Sequence, residues 1–326
     1  MSDNSSTERE IIWDAHCCVP LLISTQLEKI LRCHHQAGFR FVSINIGMDM
    51  IPLSRILSLV DRFHAEIQAS DFLILAKSIF DVQHACQNNL LAVAFDLEGG
   101  FLFFESEHMV NLFSQLGVRQ ALLAYNRNNS LAGGCYDVDM PLSTAGKHII
   151  SAMIRHGMII DCSHVGFQSS LDIMSFANVP VVFSHSNPFA LVKNKRNLQD
   201  IQIKACAQTG GVICISGLSW LLGEEKPTAD AMIRHIDYIA NLVGIEHVGI
   251  GLDYIYNDQI DDLPDDIDMN YWWPSHSFQN RQFPCSFLPP ESISSLTHKL
   301  SQYYSKTEVQ MILGKNMMNL ASKIWK

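Results

Sequence analysis

No stretch of 18 uninterrupted apolar residues occurs in the sequence, so no segment has the length and character of a membrane-spanning helix. Residues 1–10 are polar and charged and hold none of the apolar core that a secretory signal needs. The nine cysteines are odd in number, scattered, and without a CxxC pair, which argues against a disulfide framework and against a zinc ribbon. A reducing, cytoplasmic location is the expectation. Basic residues are also in deficit: 23 Lys and Arg against 33 Asp and Glu give a net charge of -10. Binding to the phosphate backbone needs clustered cations, so a nucleic-acid partner is not expected. A GxSxG elbow is missing as well, and Cys17 and Cys18 sit at a strand end rather than at a helix start that would activate a thiol, so serine or cysteine nucleophiles are disfavoured.

What is present is a large apolar fraction, 48% of 326 residues, enough for one sizeable core. Short β-branched apolar runs recur at 11–18, 39–46, 91–97, 118–125, 158–164, 179–185, 211–216 and 247–253. Runs of this kind suit parallel strands buried on both faces. Amphipathic stretches such as 25–37, 53–69, 145–156 and 229–243 lie between them and carry apolar residues at helical spacing. Eight strand and helix repeats predict an α/β fold, a (β/α)₈ TIM barrel with C-terminal helices, the alternative being a doubly wound sheet. A single barrel domain over residues 1–326 is expected. Residues 72–77 could add a strand. Residues 254–290, acidic and then aromatic through Tyr271, Trp272 and Trp273, read as a long loop after the last strand: a lid, an oligomer contact or a solvated excursion.

Barrel enzymes carry their chemistry at the C-terminal ends of the strands. Here those ends read Asp14-Ala15-His16-Cys17-Cys18, Asp96-Leu97-Glu98-Gly99-Gly100, Asp161-Cys162-Ser163-His164, Ser184-His185-Ser186 and Gly251-Leu252-Asp253. One histidine at a strand end is usually a hydrogen-bonded core residue. Three histidines, a glutamate and an aspartate converging on one mouth form a ligand set for zinc in an open catalytic site. Strand alternation puts residues 14, 16 and 18 on one face, so His16 and Cys18 point together. Glu98 can bridge two ions with its two carboxylate oxygens.

These segments, in this order, resemble the membrane (renal) dipeptidase family. The likeness also takes in Gly117-Val118-Arg119 leading to Asn126, Arg196-Asn197 and Ile312-Leu313-Gly314-Lys315-Asn316, and so covers most of the chain. The resemblance implies a metallodipeptidase with two Zn²⁺ ions, His16 on the first, Glu98 bridging, and His164 with His185 on the second. It also implies Asp253 as the catalytic carboxylate that moves the proton, and Arg196 as the grip on the substrate carboxylate, with Asn126 beside it in substrate binding. Amide hydrolysis of a dipeptide or related N-acyl amino acid by a metal-bound hydroxide would follow, because zinc lowers the pKa of bound water to about 7. The segment 193–196 also reads as a solvated basic loop.

Two positions depart from the family pattern. Cys18 stands where the family has an aspartate, either as a thiolate ligand or as a small buried hydrophobe. Tyr125 stands where the family has a histidine, and its phenol could still donate to a developing oxyanion. Those departures keep two alternatives open: a catalytically weak or inactive dipeptidase-like binding protein, and a barrel metallohydrolase acting on a lactone or phosphoester. A small-molecule dipeptide is the expected partner, and a homodimer is expected only from the frequency of twofold assemblies.

Overall fold

The computed structural model describes residues 10–100, 106–256, 263–264, 266–274 and 285–326. Strand β1 (Trp13–Cys18) leads to α1 (Leu27–Ala37), β2 (Phe41–Met48) to α2 (Leu53–Ala69), β3 (Leu73–Leu75) to α3 (Ile79–Asn88) and β4 (Leu91–Glu98) to α4 (Glu107–Gln115). There follow β5 (Val118–Leu122), α5 (Thr144–Arg155), β6 (Ile159–Asp161), α6 (Phe167–Phe176), β7 (Val182–Phe183), α7 (Asp200–Gln208) and β8 (Val212–Ile215). After α8 (Ser219–Leu222) and α9 (Ala229–Val243) come β9 (Val248–Ile250) and β10 (Tyr254–Ile255).

The pairings are parallel, in the order β10-β1-β2-β4-β5-β6-β7-β8-β9, with β3 on the flank of β4. Because β9 joins β8 and β10, three residues later, joins β1, one run of chain links the two ends of the sheet and closes the barrel. All eight sequence-derived runs are strands, and the 72–77 stretch contains the extra one. The doubly wound alternative is excluded, since an open sheet would leave β1 and β8 without this common neighbour.

Two layers of side chains hold the barrel. Inside it, Trp13 stacks on Phe41 with ring centroids 3.6 Å apart, and small residues such as Ala15, Ala92 and Ala94 leave room for that aromatic pair. The C-terminal helix α13 (Asn316–Ile324), which follows α10 (Met269–Trp272), α11 (Ile293–Leu300) and α12 (Lys306–Gln310), presents Met317, Leu320 and Ile324 to this floor. Asn316 fixes that helix by donating to Ile245 O and Val248 O at 2.8 and 2.9 Å, which gives the motif near the C-terminus a packing role. A bottom sealed in this way leaves the opposite, C-terminal end as the open mouth.

The strand ends differ from expectation in a way that matters for function. The ladders stop at Leu122, Asp161, Phe183 and Ile250, short of residues 125, 164, 185 and 253. The chain bends there. Among the described residues, four non-glycines have left-handed φ, and three of them are Asn126 (φ 59), His164 (φ 58) and Asp253 (φ 57). Backbone in that region is costly for a side-chain-bearing residue, and such residues concentrate at functional sites. Gly251 permits the last bend: a Cβ there would stand 1.7 Å from Ser184 O. Strict alternation also fails in β1, where the register against β2 shifts between Asp14 and Cys17. Asp14 consequently turns away from the lumen to His34 of α1, while His16 and Cys18 still meet.

The 254–290 stretch, expected as loop from its start, begins with strand β10 beside β1, and farther along it α10 and its described flanks lie over the mouth. Trp273 Nε1 donates to the Tyr125 hydroxyl at 3.1 Å, and Trp272 O accepts from Asn126 Nδ2 at 3.1 Å. Asp261, Asp262 and Asp265 fall outside the described residues. Among the described residues no helix is long and apolar enough to cross a membrane.

Candidate metal centre

Glu98, at the end of β4, is the hub. Its Oε1 lies 3.1 Å from His164 Nε2, 3.3 Å from His185 Nε2 and 3.5 Å from His16 Nε2. The other oxygen accepts from Asn45 Nδ2 at 2.5 Å, so a single carboxylate oxygen faces all three imidazoles, rather than one oxygen per ion. Gly99, with φ 150, keeps the following turn clear: a Cβ would stand 2.1 Å from Asp49 Oδ1.

Neighbouring side chains set the tautomer of two histidines. Asn126 Nδ2 is committed to the Trp272 carbonyl, so Oδ1 faces His164 Nδ1 at 2.7 Å and can only accept. Ser184 gives its proton to the buried Asp161 carboxylate, so its oxygen accepts from His185 Nδ1 at 2.7 Å. Both Nε2 atoms therefore carry lone pairs, and they face each other at 2.9 Å. Two lone pairs beside a carboxylate oxygen repel unless a cation or a proton stands between them. Such outer partners are the usual device for orienting metal-ligating imidazoles.

His16 completes a second group of donors. Its ring stacks on that of His185 at 4.0 Å, and its Nε2 is 3.8 Å from Asp253 Oδ1 and 3.6 Å from Cys18 Sγ. Its Nδ1 approaches Asp96 Oδ1 at 3.3 Å, too obliquely for a hydrogen bond, and among the described residues neither buried atom has another partner. Among the described residues three donor trios each have one ligand atom per residue within 4.8 Å of the others: His16, Cys18 and Glu98; Glu98, His164 and His185; His16, His185 and Asp253.

The electrostatics match a cluster built for positive charge. Burial pushes Glu98 up to about 8, with His16 pulling the other way and Asp253 and Asp96 adding to the rise. Asp253 is pushed to about 6 by burial, moderated by His16 and Arg196. Burial and then the Arg196 charge pull His164 well below the usual imidazole range; burial and then His16 do the same for His185. For His16 burial acts downward, but Asp96, Glu98 and Cys18 overcome it and hold the ring well above that range. A divalent cation at the Glu98 hub would relieve these conflicts together, and the imidazole, carboxylate and thiol donors suit one. The residues fit a metal.

Above the cluster lies a cavity of about 280 Å³. Tyr125, Arg196 and Asp253 line it along with apolar side chains that include Leu21, Leu218, Trp220 and Phe287. Arg196 is buried, donating to His185 O at 3.2 Å and Ser186 Oγ at 3.5 Å, so it is no solvated loop cation. The Tyr125 ring stacks on His164 at 4.3 Å, and burial, followed by the Glu98 and Cys18 charges, holds its phenol protonated. Asn126 has both ends of its amide engaged, which makes it a support for His164 as well as a wall residue.

Asn45 stands outside the strand ends read from the sequence, and Asp96, Asp161 and Ser184 stand in them without an assigned role. All four lie on strands or next to a residue of the donor cluster, where an apolar run interrupted by a polar residue is the available signal.

Comparison with known proteins agrees with this architecture. Residues 18–269 match the family model described as membrane dipeptidase, Peptidase family M19. Dipeptidase tcpJ of Claviceps purpurea is 32% identical over 190 residues, 57% of this chain and 45% of that protein. The chain spans about half the length of the curated relatives it matches. In fold it resembles an amidohydrolase from Pseudomonas aeruginosa (TM-score 0.82, 21% identity, 97% of each chain covered). It also resembles a metallo peptidase from Rhodobacter sphaeroides solved with a phosphinate mimic of the dipeptide L-Ala-D-Ala (TM-score 0.77, 16% identity, 97% of this chain and 100% of that one). With the family model matching most of the barrel and the donor cluster at its mouth, the chain belongs to the membrane dipeptidase family, Peptidase family M19.

Proposed function

We propose that the protein is a zinc-dependent dipeptidase that hydrolyses the amide bond of dipeptides or closely related N-acyl amino acids. The observation that carries this reading is the convergence of His16, Glu98, His164 and His185 on one buried point at the base of a cavity that also holds Arg196. His16 and Glu98 would hold one ion, Glu98 with His164 and His185 the other. Ions there would polarise the scissile carbonyl and acidify the attacking water.

The chain's own residues supply the rest. Arg196 takes the substrate's free carboxylate in its planar fork, which favours short substrates because a further residue would occupy that place. Asp253, with Oδ2 held by Ser216 Oγ at 3.4 Å and Oδ1 turned to His16, accepts the proton of the attacking water and delivers it to the leaving amine. Tyr125, a neutral phenol beside His164, donates to the oxygen that gains charge. Residues 269–273 serve as part of a lid, and Trp272 and Trp273, already against Asn126 and Tyr125, support that role. A 280 Å³ cavity suits a dipeptide side chain and backbone. The solved relative that carries a dipeptide mimic lends the reading support from fold alone.

The test is a panel of dipeptides with free and amidated C-termini, offered to zinc-reconstituted protein. Hydrolysis confined to the free acids is expected. Equal rates on both forms would remove Arg196 from its role, and no hydrolysis by protein that holds two zinc ions would favour the binding-protein alternative.

A further inference from the structure

The Cys18 thiol sits among donor atoms rather than among the groups that usually surround a buried cysteine. Cys17, one residue earlier, shows the ordinary arrangement, with its Sγ 3.5 Å from the Tyr254 carbonyl on the outer side of the strand. Cys18 Sγ instead lies 3.6 Å from His16 Nε2 and 4.0 Å from Asp253 Oδ1, and it shares a trio with His16 and Glu98 Oε1. Alternation along the end of β1 produces this difference, because residues 16 and 18 share the luminal face while Cys17 points outward.

The distances have the dimensions of a coordination shell. Around a tetrahedral ion with a metal–nitrogen bond of about 2.0 Å and a metal–sulfur bond of about 2.3 Å, the nitrogen and sulfur stand roughly 3.5 Å apart. The observed spacing from His16 Nε2 is 3.6 Å to Cys18 Sγ and 3.5 Å to Glu98 Oε1. A thiol hydrogen bond would also fit the first of these. It would not explain the convergence, since one thiol proton cannot serve a ring nitrogen and two carboxylate oxygens at once.

We propose that Cys18 closes the first position as a thiolate ligand, so that the two positions of the centre differ in chemical class. The first, with His16, Cys18 and the shared Glu98, is a soft position for zinc, cobalt or cadmium. The second, with Glu98, His164 and His185, offers only nitrogen and oxygen. Thiolate ligands discriminate against magnesium and manganese, which prefer oxygen. Metal binding releases the Cys18 proton to solvent. This inference rests on the metalloenzyme reading above.

Cobalt(II) titration of the chelator-stripped full chain tests it without reference to activity. Two equivalents should bind, one of them with a sulfur-to-cobalt charge-transfer band in the near ultraviolet. Cys18→Ser, with native circular dichroism, should lose that band, and Cys18→Asp should bind two equivalents without it. Preference for cadmium over manganese at the first position should fall about tenfold or more in Cys18→Asp. Two bound equivalents with no charge-transfer band in the wild type, or a band that persists in Cys18→Ser, would overturn the thiolate assignment alone. Failure to bind cobalt at all would overturn the metalloenzyme reading with it.

Discussion

His164 and His185 face each other through Nε2 atoms 2.9 Å apart, with both Nδ1 atoms already committed to other partners. This contact is unfavourable in the protein alone, and its geometry is fixed from behind by Asn126 and by the Ser184–Asp161 pair. Removing either support frees a ring to rotate or to take the other tautomer. Asn126→Ala and Ser184→Ala are each expected to weaken zinc at this position by roughly 10- to 100-fold. Competition with a chromophoric chelator measures it; unchanged affinity in both variants would show that ring orientation is set by packing.

The barrel was legible in the sequence because most strands fall in short, predominantly apolar runs, a pattern that survives without any knowledge of partners. The clustered donor side chains were legible because they stand where those runs end. What pairing and alternation could not give was the local backbone. Asn126, His164 and Asp253 occupy left-handed φ, and the β1 shift sends Asp14 away from His16, since both depend on what neighbouring strands press against. The supports Asn45 and Ser184 were hidden for a related reason: a polar residue inside an apolar run shows its purpose only when its partner arrives from another strand.

Asp14 shows what the shift in β1 accomplishes. Its Oδ1 accepts from Leu252 N at 2.8 Å, next to Asp253, and from His16 N at 3.4 Å, while Oδ2 is 2.9 Å from His34 Nε2. His34 in turn contacts the Tyr256 hydroxyl. One buried carboxylate thus ties the His16 strand to the Asp253 strand. Asp14→Ala strands a buried N–H and an imidazole and should cost about 3 kcal/mol in urea denaturation. Asp14→Asn keeps an acceptor for Leu252 N and should cost less. In both, kcat should fall more than KM rises, because Asp253 loses its placement while the Arg196 contact stays. A proportionate change in KM alone would count against this.

His235 provides a pH dependence away from the metal centre. It is fully buried in α9, with Nε2 3.3 Å from Leu222 O and Nδ1 unpartnered. Burial pulls it down to about 4, with the Leu222 bond opposing and Arg234 reinforcing. In the unfolded chain a histidine titrates near about 6.5. Between those values the unfolded state binds a proton that the folded state does not, so stability is lost as pH falls from about 6.5 towards 4. From pH 7 to pH 5 the loss from this residue should be about 2 kcal/mol. His235→Phe should lose less stability than the wild type over that range by this amount, read from urea midpoints. Parallel pH profiles for the two proteins would contradict it.

Arg196 separates binding by charge from binding by shape. Its guanidinium is buried with one nitrogen on His185 O and another near Ser186 Oγ, contacts that aim the fork into the cavity and away from bulk water. Arg196→Lys keeps the positive charge and loses the paired, planar donors. If the substrate carboxylate is held by both donors, the lysine variant should raise KM for free-acid dipeptides by roughly 10- to 100-fold, the loss of one charge-assisted hydrogen bond. Its kcat should change little, because the proposed reaction places the scissile bond at the Glu98 end of the cavity. Arg196→Met, of similar length and without charge, should raise KM further and remove the distinction between free-acid and amidated substrates. A lysine variant with wild-type KM would mean that a diffuse positive potential suffices, and a methionine variant that still rejects amides would place carboxylate recognition on another residue.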